Sequence, residues 1–95
     1  MEYIMTPKIV EKLRSRSISI EDCHECFANI TGKFLRDTRE RNQTTPPTLW
    51  FISQTNTGRV LKLCFIYFAE TKEIYIKTAY EPNAVEIALY AKTAY

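Results

Sequence analysis

The chain has 95 residues, 45% hydrophobic and 25% charged, with a formal net charge of +2. This size and composition fit one soluble globular domain over residues 1–95 and exclude long low-complexity segments, since there are only two glycines and four prolines. A charge so near neutrality establishes no strong sequence-wide pull on nucleic acid, so any basic site must come from local clustering.

The longest strongly apolar run, Leu63–Ala69, has seven residues, far short of the roughly 20 that span a bilayer. Met1-Glu2-Tyr3-Ile4 lacks the basic and apolar regions of a secretion signal. A cytoplasmic protein with no membrane partner is expected. The three cysteines, Cys23, Cys26 and Cys64, are an odd number and imply reduced thiols in place of a disulfide framework.

In chain order, Thr6-Pro7 opens a first helix, with Thr as N-cap and Pro at the first helical position. Ile9, Val10 and Leu13 give it an apolar stripe, and Ser15-Arg16-Ser17 ends it. A second helix starts at Ser19, with Glu21 and Asp22 in its first turn. Its inward side is expected to carry Ile20, Cys23 and Phe27, joined by His24 and Ile30, and Asn29 and Gly32 are its stop signals. Lys33–Asp37 reads as a short strand, Thr38–Pro47 as a polar loop, and Thr48–Gln54 as a second strand. The core hairpin follows: Arg59–Ala69 and Glu73–Thr78 around the turn Glu70-Thr71-Lys72. Alternation puts Leu61, Leu63, Phe65 and Tyr67 on one face, and Val60, Lys62, Cys64, Ile66 and Phe68 on the other. The last helix begins at Asn83, with Glu86 completing a capping box, and sets Ala84, Ile87, Ala88, Ala91 and Tyr95 on one apolar face. The predicted fold is α+β: a four-stranded antiparallel sheet with two N-terminal helices and one C-terminal helix, in the order α-α-β-β-β-β-α.

These residues also carry a family resemblance. Ile18-Ser19-Ile20-Glu21-Asp22 with Cys26-Phe27, then Asp37-Thr38-Arg39, Gly58-Arg59-Val60-Leu61, Ile74-Tyr75-Ile76-Lys77-Thr78-Ala79 and Glu86…Tyr90 follow one another over residues 17–90. In that order they resemble the BrnT toxins, a branch of the RelE/ParE ribonuclease toxins of bacterial toxin–antitoxin pairs. Thr78-Ala79-Tyr80-Glu81-Pro82-Asn83 is similar to a related family of uncharacterised small domains of that superfamily. The resemblance implies a toxin-like component acting on RNA, held by an antitoxin protein. The chain departs from it at three places: Arg14-Ser15-Arg16 stands for the usual Lys-His pair, Thr48-Leu49-Trp50 lacks an arginine, and Tyr80 takes the place of the last one. The alternative is a non-catalytic protein-interaction domain on the same scaffold, with a homo-oligomer as one form.

Cleaving RNA through its 2′-hydroxyl needs a base, an acid and cations against the developing charge. The candidates are His24, the one side chain that titrates near neutrality unperturbed, with Lys62 and Lys77, which interrupt apolar strands and are expected near one rim of one face. Their other reading is that the aliphatic stems cover the sheet while the ammonium groups reach water. Lys33, Arg36, Arg39 and Arg41 form the local basic concentration and could track an RNA backbone; Asp37 with Arg39 could instead be an internal ion pair fixing the loop. Tyr80 is placed either as an RNA contact or as a contact at the start of the last helix. Cys23-His24-x-Cys26 falls short of the four ligands of a structural zinc site, so neither metal nor cofactor is expected.

Overall fold

The computed structural model describes residues 2–95, and every side chain among them but that of Asn42; Met1, part of the N-terminal reading above, lies outside the described residues. Strand β1 (Glu2–Ile4) comes first, then helices α1 (Pro7–Arg14) and α2 (Ile20–Ala28). The two-residue strand β2 (Leu35–Arg36) and a 3-10 turn (Glu40–Asn42) lead into β3 (Thr48–Gln54), β4 (Val60–Phe68), β5 (Glu73–Tyr80) and helix α3 (Ala84–Thr93). Side-chain caps start all three helices as expected: Thr6, Ser19 and Asn83 accept from Ile9, Asp22 and Glu86 N–H, the last two as full capping boxes.

The α+β class holds, but the sheet is five-stranded and mixed, ordered β1-β5-β4-β3-β2. β3, β4 and β5 form the expected antiparallel meander, with β2 antiparallel at one edge. The expectation of four antiparallel strands missed β1, which runs parallel to β5 with Tyr3 opposite Ile74. Three residues are too few for an alternation pattern. Tyr3 anchors them, its ring 4.2 Å from His24 and 5.2 Å from Phe27. The expected strand Lys33–Asp37 shrinks to Leu35–Arg36 because Lys33 N–H bonds the Ala94 carbonyl at 3.0 Å instead of a strand.

The first sheet face lies under α2, whose Phe27 ring packs 4.7 Å from Phe51 and 5.1 Å from Phe65. Cys23 and Cys26 are fully buried there. Ile20 is not inward: it is 48% exposed, because the first turn of α2 stands off the sheet and borders the groove toward α1. The second face lies under α3, and here the expected helix face is reversed. Tyr90 and Ala94 are buried, whereas Ile87 is 44% and Tyr95 69% exposed, with Ala84, Ala88 and Ala91 also outward. Tyr90 decides the rotation. Its ring packs 5.5 Å from Trp50 and its hydroxyl donates to the Lys33 carbonyl at 2.8 Å.

Candidate nucleic-acid interface

Register and alternation place Trp50 and Ile52 of β3, Lys62 and Cys64 of β4, and Thr78 and Tyr80 of β5 in two cross-strand rows of the second face. α3 covers the part of this face around Trp50, Lys62 and Tyr80. Beside it open two depressions that share Asp37 and Arg39 as a common wall. One, of about 480 Å³, is bordered by Leu35, Arg36, Trp50, Lys62, Glu86 and Leu89. The other, of about 190 Å³, is bordered by Lys12, Thr48, Cys64, Lys77 and Thr78.

The shared wall is a two-toothed ion pair. Arg39 Nε donates to Asp37 Oδ1 at 3.1 Å and Nη2 to Oδ2 at 2.8 Å, and the Arg39 backbone N–H adds a third bond at 3.0 Å. Asp37 is 5% exposed, while the Arg39 side chain keeps 48% of its surface in solvent. The internal-pair reading of Asp37 and Arg39 therefore holds, and it leaves the guanidinium able to meet a ligand from outside. The hydrogen bonds that the guanidinium donates to Asp37 raise the Arg39 pKa above its usual value, so the cation is permanent.

Lys62 behaves differently. Its ammonium is 2.8 Å from Glu86 Oε2 and 4.4 Å from the Trp50 ring centre, and its side chain is 8% exposed. Tyr80 Oη donates to the same carboxylate oxygen at 2.6 Å. Burial alone would lower the Lys62 pKa, but the hydrogen bonds of Glu86 and Tyr80 outweigh it and the net shift is upward. Burial would likewise raise the Glu86 pKa, yet Lys62, Tyr80 and the Asn83 N–H pull it down to about 2. Tyr80 rises, first through burial and then through its bond to Glu86. These three side chains form a closed, internally neutralised cluster that ties the sheet to α3. Lys62 thus answers to neither sequence reading, and Tyr80 takes the helix-start alternative.

Lys77 reaches the second face through a bulge. Cys64 opposes Thr78 and Phe65 opposes Ile76, so Lys77 is the extra residue on β5, and such bulges re-aim side chains. It borders the smaller depression with Lys12, which α1 brings in from beyond the β5 edge. Neither lysine has an ion pair among the described residues. Lys62 and Lys77 share a face but not a rim, because Lys62 opposes Tyr80. Beside them Arg16 donates to Thr78 Oγ1 at 3.1 Å and to the Ala79 carbonyl at 2.9 Å, holding α1 against β5.

His24 stands on the opposite face, stacked on Tyr3, with its Nε2 buried and unpartnered. The sheet separates it from both lysines. Of the basic group, Arg36 and Arg39 border the larger depression, Arg41 is exposed on the 3-10 turn, and Lys33 is exposed beside the C-terminal end of α3. Burial first, then neighbouring carboxylates, lifts the Cys26 thiol to about 11, and burial with the Cys26 and Asp22 charges lifts Cys23 to about 12; both are unreactive core residues. Among the described residues no cluster of His, Cys, Asp or Glu could hold a metal, and no helix is long and apolar enough to cross a membrane.

Sequence reasoning missed Lys12, Glu86 as the partner of Lys62, and the hydroxyls of Thr48 and Thr78. Each joins the site through a long-range contact, and α1 carries no local mark that its Lys12 will face β5. Comparison of the chain with protein-family models, with curated proteins and with solved structures finds no match.

Proposed function

We propose that this chain is a toxin-like component of a bacterial toxin–antitoxin pair and that it contacts RNA through the open half of its second sheet face. One observation carries the RNA contact: Lys12 from α1, Lys77 from the β5 bulge and Arg39 from the loop converge on one small polar depression floored by Thr48 and Thr78. Its single carboxylate, Asp37, is already bonded to Arg39. Cations from three elements around hydroxyls suit a phosphate oxygen, and phosphate contacts supply most sequence-independent affinity for nucleic acid. Arg36 adds a further cation on the neighbouring depression, across the wall that Asp37 and Arg39 share. The toxin setting, and an antitoxin as partner, rest on the family resemblance.

A specific observation favours a second reading, in which the scaffold binds without cutting. General base catalysis needs the base within hydrogen-bond reach of the proton it takes. His24 lies across the sheet from the cradle, and Lys62 is held by Glu86. Incubating the purified protein with single-stranded RNA, beside induced expression in a bacterial host, separates the two. Cleavage and growth arrest that vanish in Lys77→Ala support the toxin reading. Binding without cleavage and without growth arrest supports the non-catalytic domain. Absence of RNA binding contradicts the toxin reading and its RNA contact, and leaves a protein-interaction domain with no RNA ligand.

A further inference from the structure

The uncovered half of the second sheet face continues past the cradle toward the turn between β4 and β5. Thr48, on the cradle floor, opposes Ile66, Ile66 opposes Tyr75, and Phe68 opposes Glu73 in the next row of the same face. Here lies a separate depression of about 390 Å³, bordered by Pro46 of the loop before β3 and by Phe68, Glu70, Thr71, Glu73 and Tyr75. Its chemistry is the reverse of the cradle's. The Phe68 and Tyr75 rings, each partly exposed, stand edge to face with their centres 5.1 Å apart. Glu70 and Glu73 have no ion pair among the described residues. Glu73 is partly buried, and Thr71 Oγ1 donates to its Oε1 at 2.8 Å. That bond orients the carboxylate and leaves Oε2 and the remaining lone pairs able to accept from a ligand.

We infer, building on the RNA contact proposed above, that this depression takes the base of the nucleotide whose phosphate sits in the cradle, and that the base it selects is guanine. Two carboxylates without a cation repel a phosphate, so the part of a nucleotide that enters here is its uncharged base, and the aromatic walls suit a flat ring. The span fits. Tyr75 is two residues from Lys77 on β5, about 7 Å at the rise of a strand, within the reach of one nucleotide from its phosphate to its base. A carboxylate only accepts hydrogen bonds, so Glu73 favours a base edge whose donors stand side by side. Guanine alone among the four bases has two adjacent donors on its pairing edge, N1–H and the 2-amino group, which match the two carboxylate oxygens. Uracil sets its single N3–H between two carbonyl oxygens that a carboxylate repels. Adenine and cytosine each place an amino group beside an acceptor nitrogen. Paired bonds to an ionised carboxylate are among the strong ones.

Fluorescence anisotropy of the full chain with labelled oligouridylates that carry one central guanosine, inosine, adenosine or uridine tests this. The guanosine strand is expected to bind about tenfold tighter than the uridine strand. Inosine falls between them, because it keeps N1–H and lacks the 2-amino group. Glu73→Gln is expected to erase the preference without weakening binding of the all-uridine strand, a result that loss of folding would not give. Tyr75→Val is expected to weaken binding of the guanosine strand about tenfold at an unchanged slope of log K against log salt, and Tyr75→Phe, which keeps the ring, to bind as wild type does. Equal binding of the guanosine and uridine strands by wild type, a guanosine preference that survives Glu73→Gln, or wild-type affinity in Tyr75→Val would overturn the guanine contact. If Lys77→Ala still weakens binding in that case, the cradle stands without it. No binding of any strand would overturn the cradle and the guanine contact together.

Discussion

Lys62 and Glu86 meet at 2.8 Å where β4 passes beneath the first turn of α3. Glu86 serves three donors at once, since Tyr80 Oη also binds Oε2 and the Asn83 N–H binds Oε1 at 3.0 Å. One carboxylate thus closes the helix cap, neutralises the buried lysine and fixes the end of β5.

Removing that carboxylate strands a buried charge. Glu86→Ala is predicted to lower unfolding stability by about 3 kcal/mol or more, the usual cost of breaking a buried pair from one side. Lys62→Met costs less, because the Trp50 and Tyr80 rings beside the ammonium form a wall that suits a thioether. Urea unfolding of the two variants gives the order; equal losses would contradict it.

The same carboxylate sets an acid limit. Its folded pKa of about 2 lies below the ordinary 4.5, so between those values the unfolded chain binds more protons and stability rises with pH. A depression of this size corresponds to about 3 kcal/mol, fully present above pH 4.5 and lost as pH falls toward 2. In Glu86→Gln this part of the pH dependence is expected to disappear. Unfolding midpoints measured across that window check it, and an unchanged slope in the variant would refute the assignment.

Gly32 is held small by Tyr90. A Cβ there would lie 2.7 Å from the Tyr90 hydroxyl and 3.0 Å from its ring, and that hydroxyl is fixed on the Lys33 carbonyl. Gly32→Ala is therefore expected to destabilise by about 1–3 kcal/mol through overpacking, and Gly32→Ala with Tyr90→Phe to lose less than the sum of the two single losses. Thermal unfolding of the three variants measures the coupling.

The loop between β2 and β3 hangs on Asp37. Asp37→Ala removes the partner of the Arg39 fork, and about 1–3 kcal/mol of charged hydrogen bonding goes with it. Limited proteolysis should then cut within residues 38–47 faster than in wild type; an unchanged rate would mean the fork does not order the loop.

The meander was legible because its strands are long and apolar with a polar turn, and the helix starts because Thr6-Pro7, Ser19 and Asn83 carry their caps in the local sequence. Strand β1 was not legible, since three residues hold no periodicity and Tyr3 acquires its role only beside His24. The α3 face misled for a related reason: alanines, Ile87 and Tyr95 make a convincing apolar stripe, and what rotates the helix is the contact of Tyr90 with Trp50 and Lys33, far away in the chain. The site followed the same pattern. Asp37 and Arg39 are two residues apart and readable as a pair, whereas the Lys62–Glu86 bond and the approach of Lys12 to Lys77 exist only in three dimensions.

The cradle of Lys12, Lys77 and Arg39 is the central claim, and the salt dependence of RNA binding tests it most directly. Anisotropy of a labelled single-stranded RNA, titrated across a series of salt concentrations, yields the slope of log K against log salt. Lys12→Ala and Lys77→Ala are each predicted to weaken binding and to flatten the slope by about 0.7, the share of one phosphate contact on a single strand. Wild-type slopes in both variants would contradict the cradle.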